Sequence, residues 1–499
     1  MKNEGIEMRR NGMLLPIASL PSPYGIGGFS KEAYEFIDLL EETGQKLWQI
    51  LPLGPTSYGD SPYQSFSTFA GNPYFIDLDT LAEKGWLTKE ACEASDYGDN
   101  ESYIDYGRIY NSRFVLLKQA FLNSDILSDE KFTEFCKANQ HWLPDYALYM
   151  ALKNQNDGKS WIEWEEEIRL RKPEAVECYK KELEEECNFY EFLQYEFHEQ
   201  WTKVKEYAHK KGIQIVGDVP IYVAFDSADT WANPELFQLD EKNLPLGVAG
   251  CPPDAFSATG QLWGNPLYNW AYHKKTGYDW WLKRIAYCFD LYDIVRIDHF
   301  RGFDEYYSIP YGDETAVNGH WEKGPGMDLF DTVKEKLGEL DIIAEDLGFL
   351  TESVFQLLKD SGYPGMKVLQ FAFDPSEDSD YLTYKYQRNC VVYTGTHDND
   401  TTAGWFEKLS DGDREVALRY MNSFYTPKEE QHWDLIALAM RSTADTCIIP
   451  VQDFLGLGSE ARINMPSTLG DNWKWRMTKG AFSEELKEKI RRMTKLYGR

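Results

Sequence analysis

Eight short apolar runs, each closed by a polar residue, constrain this 499-residue chain more than any other feature. In order they are Met13–Ile17, Lys46–Leu53, Ile213–Ile221, Tyr292–Asp298, Asp341–Gly348, Met366–Phe373, Cys390–Asp398 and Thr446–Asp453. A near-continuous hydrophobic run with a polar end is what a parallel strand buried on both faces requires. Amphipathic helical patterns precede several of them. Glu32–Gly44 leads into the second run and Trp201–Gly212 into the third, each ending in a glycine placed for a helix C-terminus. Asp328–Leu340 and Thr351–Tyr363 lead into the fifth and sixth. Eight strands alternating with helices predict an α/β fold, a (β/α)8 TIM barrel.

The spacing is uneven, which predicts large insertions after strands two and three. Gly54 to Gly212 separates those two strands, and much of it is charged and helical, as in Trp161–Glu186. The acidic and basic residues near Lys181–Glu186 read as a solvated helix face. Tyr222 to Leu291 also exceeds one helix, and Gly247–Pro266 within it is rich in Gly, Pro and Ser, as a long functional loop would be. The expected division is a catalytic barrel over 1–75 and 195–499, a mainly helical insertion over 76–194, and a loop-rich insertion over the active site at 222–285.

Composition narrows the partners. Lys and Arg number 52 against 82 Asp and Glu, a net charge of −30. That charge repels phosphate backbones and anionic lipid, so nucleic acid and membrane surfaces are poor partners. With 42% hydrophobic residues the chain buries a large core. Aromatic residues make up 15%, and their rings serve either that core or stacking on sugars and bases. The N-terminus MKNEGIEMRR has no apolar signal region, and no run reaches the roughly 20 residues that span a bilayer. Eight cysteines without a CxxC pair are therefore expected reduced, in a cytoplasm.

In a barrel the active site is built from the C-terminal ends of strands. Strand three ends in Asp218, strand four in Arg296 and Asp298, strand five in Glu345 and strand seven in His397 and Asp398. Arg296 and Asp298 are two apart and share a face. An arginine beside Asp298 is expected to lower its carboxyl pKa, as a nucleophile needs. Glu345 closes an apolar run, where desolvation raises a carboxyl toward general-acid duty at neutral pH. One depressed and one raised carboxyl, about 5–5.5 Å apart, is the pair of a retaining glycosidase. Asp398 is placed to support developing positive charge, and His397 to bond a sugar hydroxyl. Any one of these aspartates taken alone reads more readily as a helix N-cap or turn former than as a catalyst, and Asp346, Asn399 and Asp400 fit that role best. A metal site is the other alternative. No HxH or HExxH occurs, and Arg296 competes with a cation, so no metal is expected. Tyr58, Tyr63 and Phe66 follow strand two and Trp263 lies in the loop after strand three, where ring faces suit carbohydrate.

The segments LPLGPTSYGDSPYQSFSTFAGNPY, GDVPIYVAFDSADTW, QLWGNPLYNW, VRIDHFRGF, AEDLG and GTHDNDTTAGWF occur in the order found in the 4-α-glucanotransferases (amylomaltases or disproportionating enzymes, glycoside hydrolase family 77). The chain resembles that family from about Leu14 to Arg476. The resemblance implies retaining double-displacement transfer between α-1,4-glucans, without a cofactor, in the cytoplasm. By position it implies Asp298 as nucleophile, Glu345 as acid/base and Asp398 as transition-state stabiliser. Ser61, Tyr63, Asp218, Arg296, His397 and Asn464 match donor-sugar binders, and Trp263 matches the acceptor-side ring. Tyr58 and Tyr106 are candidates for a second glucan groove. The partners implied are α-1,4-glucan donor and acceptor, with a monomer favoured. One departure stands out: the family reads Asn-x-Pro-Gly-Thr where this chain has Asn464-Met465-Pro466-Ser467-Thr468. The extra N-terminal domains of some relatives are expected to be absent.

Overall fold

The computed structural model describes residues 9–57, 59–253, 257–348, 350–374 and 378–499. Its strands are β1 (Arg10–Leu14), β2 (Leu47–Gln49), β3 (Gln214–Val219), β4 (Gly247–Cys251), β5 (Gln261–Pro266), β6 (Ile294–Ile297), β7 (Glu305–Pro310), β8 (His320–Lys323), β9 (Ile342–Ala344), β10 (Gly365–Val368), β11 (Cys390–Tyr393) and β12 (Thr446–Pro450). Eight of them close a parallel barrel in the order β1-β2-β3-β6-β9-β10-β11-β12, with β12 returning to β1. These are the eight apolar runs in sequence order. The first lies three residues earlier than its hydrophobic pattern suggests, because Arg10, Asn11 and Gly12 pair with Thr446, Cys447 and Ile448 despite their polarity.

Helices Lys31–Glu42, Glu184–Lys210, Asp279–Leu291, Met327–Leu337, Glu352–Ser361 and Gln431–Arg441 precede successive barrel strands. Their apolar faces pack on the outer faces of the barrel strands in one continuous core. Between β10 and β11 the described residues form only short 3-10 turns. Eight helices lie between β2 and β3, from Leu78–Glu83 to Glu184–Lys210. Part of this region is stitched to the far end of the chain. Ile104 N donates to Lys474 O at 2.8 Å, Arg476 N donates to Ser102 O at 2.8 Å, and Tyr103 bridges Trp475.

A second sheet, absent from the sequence reading, corrects the picture of Gly247–Pro266 as a loop. β4 and β5 pair antiparallel there, and β7 and β8 extend the sheet to the order β5-β4-β7-β8. Val248, Tyr307, Ile309 and Ala316 form a small hydrophobic cluster of its own.

One close approach fixes the barrel beside the site. A Cβ on Gly217 would stand 2.1 Å from the Tyr292 ring, so only glycine lets β3 lie against the residues entering β6. Cys92, Cys136, Cys178, Cys187, Cys288, Cys390 and Cys447 are free thiols. No helix among the described residues is long and apolar enough to cross a membrane.

Candidate active site

Parallel register places the polar residues. Asp218 on β3 is the Cα partner of Arg296 on β6, so the two side chains meet inside the barrel mouth. Arg296 Nη1 donates to both Asp218 oxygens at 2.6 Å, and Nη2 donates to Asp298 Oδ1 at 2.9 Å. The arginine side chain is 3% exposed and Asp218 is fully buried. Hydrogen bonding continues past the strand ends. Asp298 N donates to Val219 O at 2.9 Å, Glu345 N to Ile297 O at 3.0 Å and Phe300 N to Glu345 O at 3.1 Å. Asp298 and Glu345 therefore sit on neighbouring strand ends in fixed register.

The Glu345 carboxylate accepts from His299 N at 2.7 Å and Leu347 N at 2.8 Å. Burial, and then the charge of Asp298, raise it to about 7 in spite of those donors. Asp298 departs from the sequence expectation. Burial raises its carboxyl above the ordinary aspartate value, and Arg296 does not reverse this, because Asp218 takes the same guanidinium and adds a second negative charge. The charge of Asp298 in turn helps to raise Glu345.

The opposite wall comes from loops. His397 and Asp398 follow β11. Burial disfavours the charged imidazole, but Asp398 outweighs it, and the His397 pKa is raised. Burial also opposes ionisation of Asp398, yet the His397 charge and bond and an Asn464 bond hold the carboxyl down at about 2. His397 Nε2 lies 3.3 Å from Asp398 Oδ1, and Asn464 Nδ2 donates to that oxygen at 2.6 Å. Tyr63 joins the two walls. Its ring stacks on His397 at 5.1 Å and its hydroxyl donates to Asp218 Oδ2 at 2.8 Å.

Asp218, Tyr63, Arg296, Asp298, Glu345, His397, Asp398 and Asn464 thus share one mouth. Ser61 stands apart from these contacts. Its hydroxyl accepts from Tyr63 N at 3.3 Å and shapes the turn that presents the tyrosine. Trp263, on β5, packs edge-on against His299 at 4.8 Å, next to Asp298 in the chain. Tyr106 is 9% exposed and its hydroxyl donates to Trp473 O at 2.8 Å, which leaves little ring face for a sugar. Tyr58 lies outside the described residues. Among the described residues no His, Cys, Asp and Glu group is arranged to hold a metal.

Several supporting residues escape a sequence reading. Asp453, buried beyond β12, accepts from Thr394 Oγ1 at 2.5 Å and from Thr402 N at 2.7 Å, clamping both ends of the loop that carries His397 and Asp398. Trp473, in left-handed backbone (φ 66°), lays its ring 5.8 Å from Tyr63 and 6.0 Å from His397. Arg462 reaches Asp398 O and Asn464 O. None has a periodic signature.

Comparison with known proteins now bears on this geometry. The family model for 4-alpha-glucanotransferase matches residues 15–482. The chain belongs to this family. Its activity is that of a 4-alpha-glucanotransferase, and it is an enzyme. A 4-alpha-glucanotransferase of Clostridium butyricum is 54% identical over 485 residues, covering 97% of this chain and 99% of its own. One from Streptococcus pneumoniae is 48% identical, covering 99% and 98%. The amylomaltase of Streptococcus agalactiae, solved in complex with acarbose, superposes with a TM-score of 0.95 at 43% identity, covering 98% and 99%.

Proposed function

We propose that this glucanotransferase moves a segment of an α-1,4-glucan to the 4-hydroxyl of an acceptor glucan or glucose by retaining double displacement. In the first step an Asp298 oxygen attacks the anomeric carbon and the glycosidic C–O bond breaks. Glu345 gives its proton to the leaving 4-oxygen, and a glycosyl ester on Asp298 remains. In the second step the acceptor 4-hydroxyl loses its proton to the Glu345 carboxylate and attacks the same carbon. The ester bond breaks and Asp298 returns to its carboxylate. Two inversions restore the starting configuration.

The carrying observation is the placement of the carboxyls: Asp298 and Glu345 on neighbouring strand ends in fixed register, Asp298 held by Arg296 and Asp398 by Asn464, with Glu345 raised to about 7 and Asp398 held at about 2. A proton donor, a nucleophile and a permanent anion are thereby available together. Arg296, Asp218, Tyr63, His397 and Asn464 hold the donor sugar, Ser61 supports them through its turn, and Trp263 offers a ring to the acceptor. That the S. agalactiae relative was solved in complex with acarbose supports an α-glucan as the substrate.

Maltotriose as sole substrate is expected to give glucose together with chains longer than itself. Only shorter sugars would replace transfer with hydrolysis. NMR of the lengthened chains is expected to show the new linkages as α-1,4, and Asp298→Ala to lose activity by at least about 10⁴-fold without unfolding.

A further inference from the structure

Asp398 and Asn464 act on each other yet come from separate loops, one after β11 and one after β12. Asn464 belongs to a loop whose base is closed by Trp473 N donating to Ile463 O at 2.7 Å. Inside it, Met465 N donates to Asn472 Oδ1 at 2.9 Å and Asn472 Nδ2 to Thr468 O at 3.0 Å. The tip is open to solvent, with Leu469 91% exposed. These bonds hold the loop together but do not fix it against Asp398.

Arg462, at the root of the loop, does. Its Nε donates to Asn464 O at 2.7 Å and its Nη2 to Asp398 O at 2.6 Å. Among the described residues no carboxylate lies within ion-pair distance of it. One rigid guanidinium therefore spans two main-chain carbonyls on two loops, with a fork geometry that the single ammonium of lysine does not reproduce.

We propose that Arg462 is a positioning residue for glucan transfer, locking the Asp398 and Asn464 loops into one unit so that the Asn464 amide stays on the Asp398 carboxylate. Asn464 N also donates to His397 O at 3.1 Å, so Arg462 reinforces one backbone bond between the loops, and the remaining anchors of the Asp398 loop lie farther off. Gln370 Nε2 donates to Asp400 O at 2.9 Å, Ser459 Oγ donates to Asp400 Oδ2 at 2.8 Å, and Asp453 clamps Thr394 and Thr402. Without Arg462 the loop keeps its attachment to the barrel, and its register with Asn464 rests on the Asn464 N–His397 O and Ser459–Asp400 bonds alone, too few to hold the amide in place. An error of about 1 Å at a reacting centre costs about 100-fold in rate.

The inference rests on the role assigned to Asp398, so the experiment carries Asp398→Asn as a control. Maltotriose disproportionation is measured for Arg462→Met, Arg462→Lys, Asn464→Ala and the Arg462→Met/Asn464→Ala double variant, with thermal midpoints. Arg462→Met is expected to lower kcat by about 10- to 100-fold with KM within about threefold. Arg462→Lys is expected to recover little of this, and it carries the same test if the methionine chain does not fold. The double variant is expected to fall no further than about the worse single change, since both act through one contact. Wild-type kcat in both Arg462 variants, a loss confined to KM, or multiplicative losses in the double variant would each overturn the proposal. Wild-type activity in Asp398→Asn would instead remove the underlying assignment of Asp398.

Discussion

Two aspartates face the same mouth, each beside a basic residue, and they are set in opposite directions. Asp298 extends β6 and is 29% exposed, yet its carboxyl is raised. Asp398 rides on a loop and is 42% exposed, yet its carboxyl is held at about 2. The difference is how many groups share each cation and donor. Arg296 divides its guanidinium between Asp218 and Asp298, and Asp218 adds its own charge. His397 and Asn464 both spend their bonds on one Asp398 oxygen. A charged neighbour two residues away in sequence is therefore a poor guide to a carboxyl until its other partners are known.

The strand-borne wall is where the comparison breaks most visibly. Glu345→Gln is expected to lower activity by about 10²- to 10⁴-fold on substrates with poor leaving groups. In the parent enzyme, kcat/KM should fall as pH rises through about 7, because the acid loses its proton, and the glutamine variant should lack that limb. Stability moves the same way. Between about 4.5 and about 7 the native state keeps a proton that the unfolded chain has released. Stability to urea should therefore drop across that window as pH rises, and the drop should be missing in Glu345→Gln.

Asp218→Asn sharpens the role of sharing. It leaves Arg296 to Asp298 alone and removes the nearby negative charge, so the acid limb of kcat/KM should move to lower pH. It also strips a buried cation of a full partner, at a cost of about 3 kcal/mol in urea unfolding. An acid limb that stays in place would mean burial alone sets Asp298.

The smallest expected effect lies on the loop-borne wall. Ser467 stands where the family has glycine and adopts left-handed backbone at φ 64°. Ser467→Gly removes about 1 kcal/mol of backbone strain but adds freedom to the unfolded chain, so the net gain should stay under about 1 kcal/mol. Thermal unfolding measures it, and kcat should remain within twofold.

The same contrast explains what could be read from sequence. All eight barrel strands were legible because burial on both faces writes an unbroken apolar run. The carboxylates at their ends followed from alternation. The direction of the Asp298 shift was not legible, since Asp218 reaches Arg296 across strands more than seventy residues apart in the chain. β4, β5, β7 and β8 were missed because Gly and Pro break the pattern of β4 and β5, β8 is polar, and the sheet is completed only by β4 pairing with β7 from another connection. Asp453 closes the eighth apolar run, but its hydroxyl partners on another loop could not be read from that, and Arg462 and Trp473 act through main-chain carbonyls and ring faces at unrelated spacings and leave no pattern.

The small sheet carries a consequence for how the molecule is assembled. β4 and β5 come from the connection between β3 and β6, whereas β7 and β8 come from the connection between β6 and β9. Trp263 therefore sits against His299 on the edge of a sheet that both connections build. Such long-range pairing belongs to the late, slow part of folding. The β5 edge is also no exchangeable cassette: a grafted 247–266 segment would need a matching 305–323 partner to rebuild the sheet that carries Trp263.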